Sequence, residues 1–247
     1  MARSINVLIF LCLLLVILAS LKTPTFYDEG WAVSNAYRLN LGDIPYKDFL
    51  LVYPPAQFIT ISHILTVFGS NWLIFRLYDI CIKWLLSIFI FLLARRFASN
   101  AVSYACAFAS AFYLSSACGF LYAVFPACLL GLIAIFCITK PNPRLVQLNI
   151  VFSGLCTGIT SLFRIDFAIY IFISVSIFFM VFRRLGYLSG YPVSKSFFLY
   201  TSSFVLISMP FYCYLVYICG FSNLFTQLII FPFVEMQAYR RLPLPQI

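Results

Sequence analysis

The stretch Trp72-Leu73-Ile74-Phe75-Arg76-Leu77-Tyr78-Asp79-Ile80-Cys81-Ile82-Lys83-Trp84-Leu85-Leu86-Ser87-Ile88-Phe89-Ile90-Phe91-Leu92-Leu93-Ala94 decides how the chain is read. It is apolar enough, and long enough as a helix, to cross roughly 30 Å of hydrocarbon. Near its start Arg76, Asp79 and Lys83 stand three and four residues apart and share one helical face. Lipid penalises such a face, so it should turn into a bundle or toward an aqueous cavity. Similar apolar runs recur at 5–21, 101–117, 121–139, 145–163, 167–182 and 197–219. The whole chain is 64% hydrophobic and 9% charged, whereas soluble domains carry roughly a quarter charged residues. The composition excludes an ordinary soluble domain. It predicts an all-α, polytopic membrane helix bundle of about seven spans.

Charge placement predicts the orientation. With the N-terminus in the cytoplasm, the inner segments hold Arg3, Arg95 with Arg96, Lys140 with Arg144, and Arg183, Arg184 and Lys195. None of them holds an acid, as the positive-inside rule requires of short cytoplasmic loops. The acids fall on the opposite side or within the second span. The net charge of +9 follows from this bias. The basic residues come in pairs at span ends and form no extended patch, so no nucleic-acid partner is expected. The nine cysteines lie in or beside apolar runs without a Cys-x-x-Cys pair, and read as small hydrophobes. The first apolar run lacks a small-residue cleavage site and reads as an uncleaved span.

The polar segment between the first two spans, about 22–71, reads as a structured outer loop. Glu29–Leu41 places Val33, Ala36, Tyr37 and Leu41 on one helical face, and Gly42 stands where a C-cap glycine would. Asp43-Ile44-Pro45 reads as a turn. A second helix is expected over Pro55–Phe68, ended by Gly69 and too short to span. Two juxtamembrane helices would thus frame an extended segment, Tyr46–Pro54.

This loop concentrates acids. Asp28, Glu29 and Asp48 lie just outside the expected bilayer, where a carboxylate can meet both a lipid headgroup and an acceptor. Asp28 reads either as the cap of the following helix or as a base. Glu29 suits a first-turn acid that complements the helix dipole. Asp48 reads as a partner of Lys47 or Arg38, or as a second site acid. Arg76 reads as the partner of Asp79 or as a phosphate ligand, since its guanidinium fork matches phosphate oxygens. Arg164 reads as a snorkelling span-end residue or a ligand contact. Arg240 and Arg241 read as a phosphate contact or a loose tail. His63 is alone on an apolar helix, and a buried or incidental histidine is its plainer reading.

The residues Asp28-Glu29-Gly30, Leu41-Gly42-Asp43-Ile44-Pro45-Tyr46-Lys47-Asp48-Phe49, Tyr53-Pro54-Pro55 and the run from Phe68-Gly69 to Phe75-Arg76 resemble the GT-C glycosyltransferases. Within these, they are similar to the family of protein O-mannosyltransferases and the aminoarabinose transferase of lipid A (glycosyltransferase family 39-like). A weaker similarity continues through Val124-Phe125-Pro126-Ala127 and 154–166 to Tyr239-Arg240-Arg241-Leu242-Pro243. The resemblance therefore extends over 1–247 as one membrane module. It implies transfer of a sugar from a polyprenyl-phosphate carrier to an acceptor on the outer face of a bacterial plasma membrane, with inversion. It implies Asp28 as the catalytic base, Glu29 and Asp48 as second acids, and Arg76, Arg164, Arg240 and Arg241 as donor-phosphate ligands. Family members usually have eleven or more spans, so the chain reads as a module truncated at its C-terminus. Some relatives carry an acid and a lysine where this chain has Val52 and Tyr53, so no metal or other cofactor is expected. The rival readings are a non-catalytic polyprenyl-lipid-binding module and a transporter or flippase. Against the transporter, the third, fourth and seventh spans contain no Asp, Glu, Lys or Arg.

Overall fold

In a computed structural model the described residues are 11–14, 16–17, 28–116, 121–139, 145–184 and 192–235. They are mostly helical, without a strand; one isolated bridge links Pro45 and Phe49. In chain order the helices are α1 (Asp28–Asn40), α2 (Ala56–Phe68), α3 (Trp72–Ala94), α4 (Asn100–Ser116), α5 (Val124–Ile138), α6 (Val146–Phe163), α7 (Ile165–Arg184), α8 (Val193–Cys219), α9 (Phe221–Phe225) and a π-helix, Thr226–Glu235. Residues 11–14 and 16–17 are also helical.

Among the described residues three helices, α3, α6 and α8, are long and apolar enough to cross a membrane. The chain is accordingly a membrane protein with additional, shorter apolar helices. The 15 residues of α5 rise about 22 Å.

Helix ends follow local chemistry. Asn71 caps α3, its Oδ1 accepting the Leu73 N–H at 3.0 Å. Beyond α1 the chain turns through Gly42 at φ +94°, a backbone angle that L side chains resist. Pro55 precedes α2, and α2 stops at Gly69, whose N–H donates to the Leu65 carbonyl at 2.9 Å. Within the apolar helices many hydroxyls donate to the carbonyl one turn back, among them Thr157, Thr160, Ser203 and Ser208.

The most extensive helix–helix contact is between α6 and α8. There a Cβ on Gly154 would collide with the Tyr200 carbonyl, and one on Gly158 would lie 2.9 Å from the Phe204 carbonyl. The Gly-x-x-x-Gly spacing lets the two backbones approach. Buried beside them, Tyr200 and Thr157 share a hydrogen bond of 2.9 Å.

Alternation of helix direction gives the bundle two chemically distinct ends. One end gathers α1, α2, the 43–54 loop, Phe75 of α3, Leu121, and Leu215 and Cys219 of α8 around a common apolar cluster. The opposite end carries Arg95 and Arg96. Arg96 donates to Thr139 Oγ1 at 2.7 Å and to the Phe136 and Thr139 carbonyls, fastening the ends of α3 and α5 together.

Candidate functional site

The first end of the bundle holds nearly every acid among the described residues. Helix α1 is described from Asp28 to Asn40, so it includes Asp28, one residue before the expected start. The side chain of Asp28 lies outside the described set. Glu29, the next residue, is fully buried. Its Oε2 lies 3.2 Å from Nη2 of Arg76, whose side chain is 6% exposed. The pair crosses from α1 to α3 and fixes the start of α1 against the membrane helix. The Arg76 guanidinium also lies 5.8 Å from the Trp72 ring centroid.

Asp79 and Lys83 form a second buried pair at 2.7 Å, one turn apart on α3. The Lys83 ammonium sits 4.6 Å from the Phe125 ring centroid. Asp79 Oδ1 also accepts the Leu121 N–H at 3.0 Å, while Gln57 of α2 donates from Nε2 to the Leu121 carbonyl at 2.9 Å. Tyr78 in turn donates to Gln57 Oε1 at 3.0 Å. Leu121 has φ +58°, a costly angle for a non-glycine residue. Two side chains from different helices hold it there. The charged face of α3 thus points inward, onto α1 and the start of α5.

Arg164 caps the end of α6. It makes two bonds to Asp166, Nε to Oδ1 at 2.9 Å and Nη2 to Oδ2 at 2.6 Å. Its guanidinium lies 4.4 Å from the Tyr53 ring centroid and 5.6 Å from that of Phe167. Burial alone would push the Asp166 carboxyl up. The Arg164 bonds and charge outweigh it and hold the group below its ordinary value. Beside this pair opens a cavity of about 360 Å³. Tyr53 and Pro54, Arg164 and Asp166, and Pro232 and Phe233 of the π-helix line it. One ion pair in an otherwise apolar wall suits a ligand with an anionic head and a greasy body.

The remaining expected site residues fall elsewhere. Asp48 is exposed and closes its own turn, its Oδ2 accepting the Ile44 N–H at 2.7 Å. Arg38 pairs with Asp43 at 2.7 Å, donates to the Asp48 carbonyl at 2.8 Å and lies over the Phe49 ring. His63 is exposed, with Nδ1 2.8 Å from the Ile59 carbonyl of its own helix. Arg240 and Arg241 lie outside the described residues. No cluster of three metal-ligating side chains occurs among the described residues.

The structure brings together residues that the sequence kept apart. Arg76 takes Glu29 as its partner, leaving Asp79 to Lys83. Gln57 and Gln227 carry no sequence reading, and Tyr53 enters the sequence reading only as part of the Tyr53-Pro54-Pro55 motif and as a departure from the family pattern. A glutamine in an otherwise apolar helix, as at Gln57, is the kind of signal that would have found both glutamines. The chain matches no protein-family model, no curated protein and no solved structure.

Proposed function

We propose that the chain is a membrane glycosyltransferase module that moves a sugar from a polyprenyl-phosphate carrier to an acceptor. In this reading it threads the membrane about seven times with its N-terminus in the cytoplasm, and α1 and α2 lie outside as juxtamembrane helices. The acid-rich end of the bundle then faces outward and the Arg95–Arg96 end inward, in keeping with the positive-inside rule. The observation that carries the reading is the cavity beside Arg164, where a cation stacked on Tyr53 faces apolar walls at the acid-rich end.

The chemistry is one displacement. A lone pair of the acceptor oxygen bonds the anomeric carbon as the bond from that carbon to the carrier phosphate breaks. The acceptor proton passes to Asp28, and the polyprenyl phosphate leaves with the electron pair, inverting the centre. Arg164 holds the phosphate. Its guanidinium has five N–H donors, of which Asp166 takes two. Arg76, closed against Glu29, supports the site by its charge and by fixing α1, and Arg240 and Arg241 complete the phosphate contacts. Glu29 holds Arg76, and Asp48 shapes the loop.

The test titrates the purified chain with a polyprenyl phosphate lacking sugar and with the matching polyprenol. The phosphate should bind about tenfold or more tightly, and Arg164→Ala should remove that preference. Equal affinity for phosphate and alcohol in the unaltered protein refutes the reading. In a preparation that transfers sugar, Asp28→Asn should abolish turnover while donor binding persists.

A further inference from the structure

We propose that Gln227 is a positioning residue, one side-chain amide that sets the distance between the two walls of the Arg164 cavity. The proposal rests on the reading of that cavity as a phosphate-lipid site.

Gln227 lies in the first turn of the π-helix. Its Nε2 donates to the Tyr46 carbonyl at 2.7 Å, and its Oε1 accepts the Leu51 N–H at 3.0 Å. Both are main-chain groups of the 43–54 loop, bonded by an amide 176 residues from Leu51 in sequence. The loop they belong to turns back on itself. Tyr46 has φ +66°, and its N–H donates to the Phe49 carbonyl at 3.1 Å. Its buried hydroxyl donates to the Tyr53 carbonyl at 2.8 Å. Burial pushes that hydroxyl well above its ordinary pKa, so it stays a donor. The backbone clamped by Gln227 is therefore tied directly to Tyr53.

The two walls start where the clamp ends. Val52, Tyr53 and Pro54 follow Leu51 and line one side of the cavity; Leu228 and Ile229 follow Gln227 and line the other, with Pro232 and Phe233 a turn later. Pro232 lies inside this π-helix and has no N–H to give to its ladder. Such widened turns recur at functional sites. Arg164 lies on the Tyr53 ring, so a shift of the Tyr53 wall moves the surface on which the cation rests. The amide thus acts on ligand binding through Tyr53 and need not touch the ligand.

The experiment uses the full chain in detergent with three variants: Gln227→Met, Gln227→Glu and Arg164→Ala. Gln227→Met keeps the length and loses both bonds. Gln227→Glu, when ionised, keeps the acceptor for Leu51 and loses the donor to Tyr46. Each protein is titrated with a sugar-free polyprenyl phosphate and with the matching polyprenol, and amide exchange is followed at Leu51. Gln227→Met should reduce the preference for phosphate over alcohol by about tenfold and speed exchange at Leu51, with exchange in α6 and α8 unchanged. Gln227→Glu at neutral pH should lower the preference in the same direction while Leu51 stays protected. It provides the reading should the methionine variant fail to fold. An unaltered preference in a folded Gln227 variant, with Arg164→Ala still abolishing it, overturns the clamp and leaves the cavity reading intact. No phosphate preference in the unaltered protein overturns both.

Discussion

Breaking the Glu29–Arg76 pair should cost far more than an exposed ion pair would. The two charges sit 3.2 Å apart with side-chain exposures of 0% and 6%. At an effective dielectric of 20, Coulomb's law gives about 5 kcal/mol of gross attraction at that distance. Desolvation offsets much of it, so the net value of the intact pair is small. Removing one partner is different, because the other charge stays buried after losing its counter-charge across the α1–α3 contact. Arg76→Met or Glu29→Met should therefore destabilise by about 3–5 kcal/mol. The double replacement removes both charges, and its cost should fall well below the sum, with a coupling of about 2–3 kcal/mol. Reversible unfolding of the purified chain in mixed micelles, monitored by circular dichroism, measures all four corners of the cycle. Single-variant losses under about 1 kcal/mol, or strict additivity, would refute the view that this pair anchors α1 on α3.

Gly154→Ala should destabilise by about 1–3 kcal/mol, because the new methyl meets the Tyr200 carbonyl, whereas Gly30→Ala, with nothing within 4 Å, should be neutral or slightly stabilising. Thermal unfolding in detergent compares the two. The Arg164–Asp166 pair should be sensitive to acid in a definite sense. The folded Asp166 carboxyl titrates below its unfolded value, so the pair's contribution is present above that value, near 3.9, and is lost as pH falls through the lower folded one. Asp166→Asn should flatten the acid limb of a stability–pH profile. For orientation, Asp43→Cys in a cysteine-poor background should react with an impermeant thiol reagent from outside the cell, and reaction from the cytoplasmic side alone would invert the site assignment.

The parts legible in the sequence are those set by local chemistry. Helix α3 runs Trp72–Ala94, as its long apolar run predicts despite three charges, and α2 stops at Gly69 as the glycine predicts. The turns at Gly42 and Gly69 both need positive φ, which the residue type announces. What stayed hidden is tertiary. A face bearing Arg76, Asp79 and Lys83 permits Arg76–Asp79 or Asp79–Lys83 pairing equally well by helical spacing. Only the docking of α1 brings Glu29 to Arg76 and settles the choice. Nor does a single π-helical segment announce itself by a familiar hydrophobic period, and no element is read from the sequence over Thr226–Glu235. The Gly154–Gly158 spacing was visible but says nothing until α8 is known to lie across it.

The hidden parts bear on the chemistry more than the legible ones do. Helical periodicity can put a carboxylate at a membrane surface, but it cannot hold that carboxylate still. Asp28 lies in a helix whose next residue, Glu29, is locked to the charged face of α3. The same face holds Leu121 through Asp79 and reaches α2 through Tyr78 and Gln57. Three helices and the start of a fourth therefore share one buried polar network, with the proposed base at its edge. A base must sit within about 3 Å of the proton it removes, and a displacement of 1 Å can cost about a hundredfold in rate. On the proposed function, the charges buried along α3 are there to keep the Asp28–Glu29 part of α1 in register with the phosphate held at Arg164. This accounts for ionised groups in a span that an apolar face could have packed more simply.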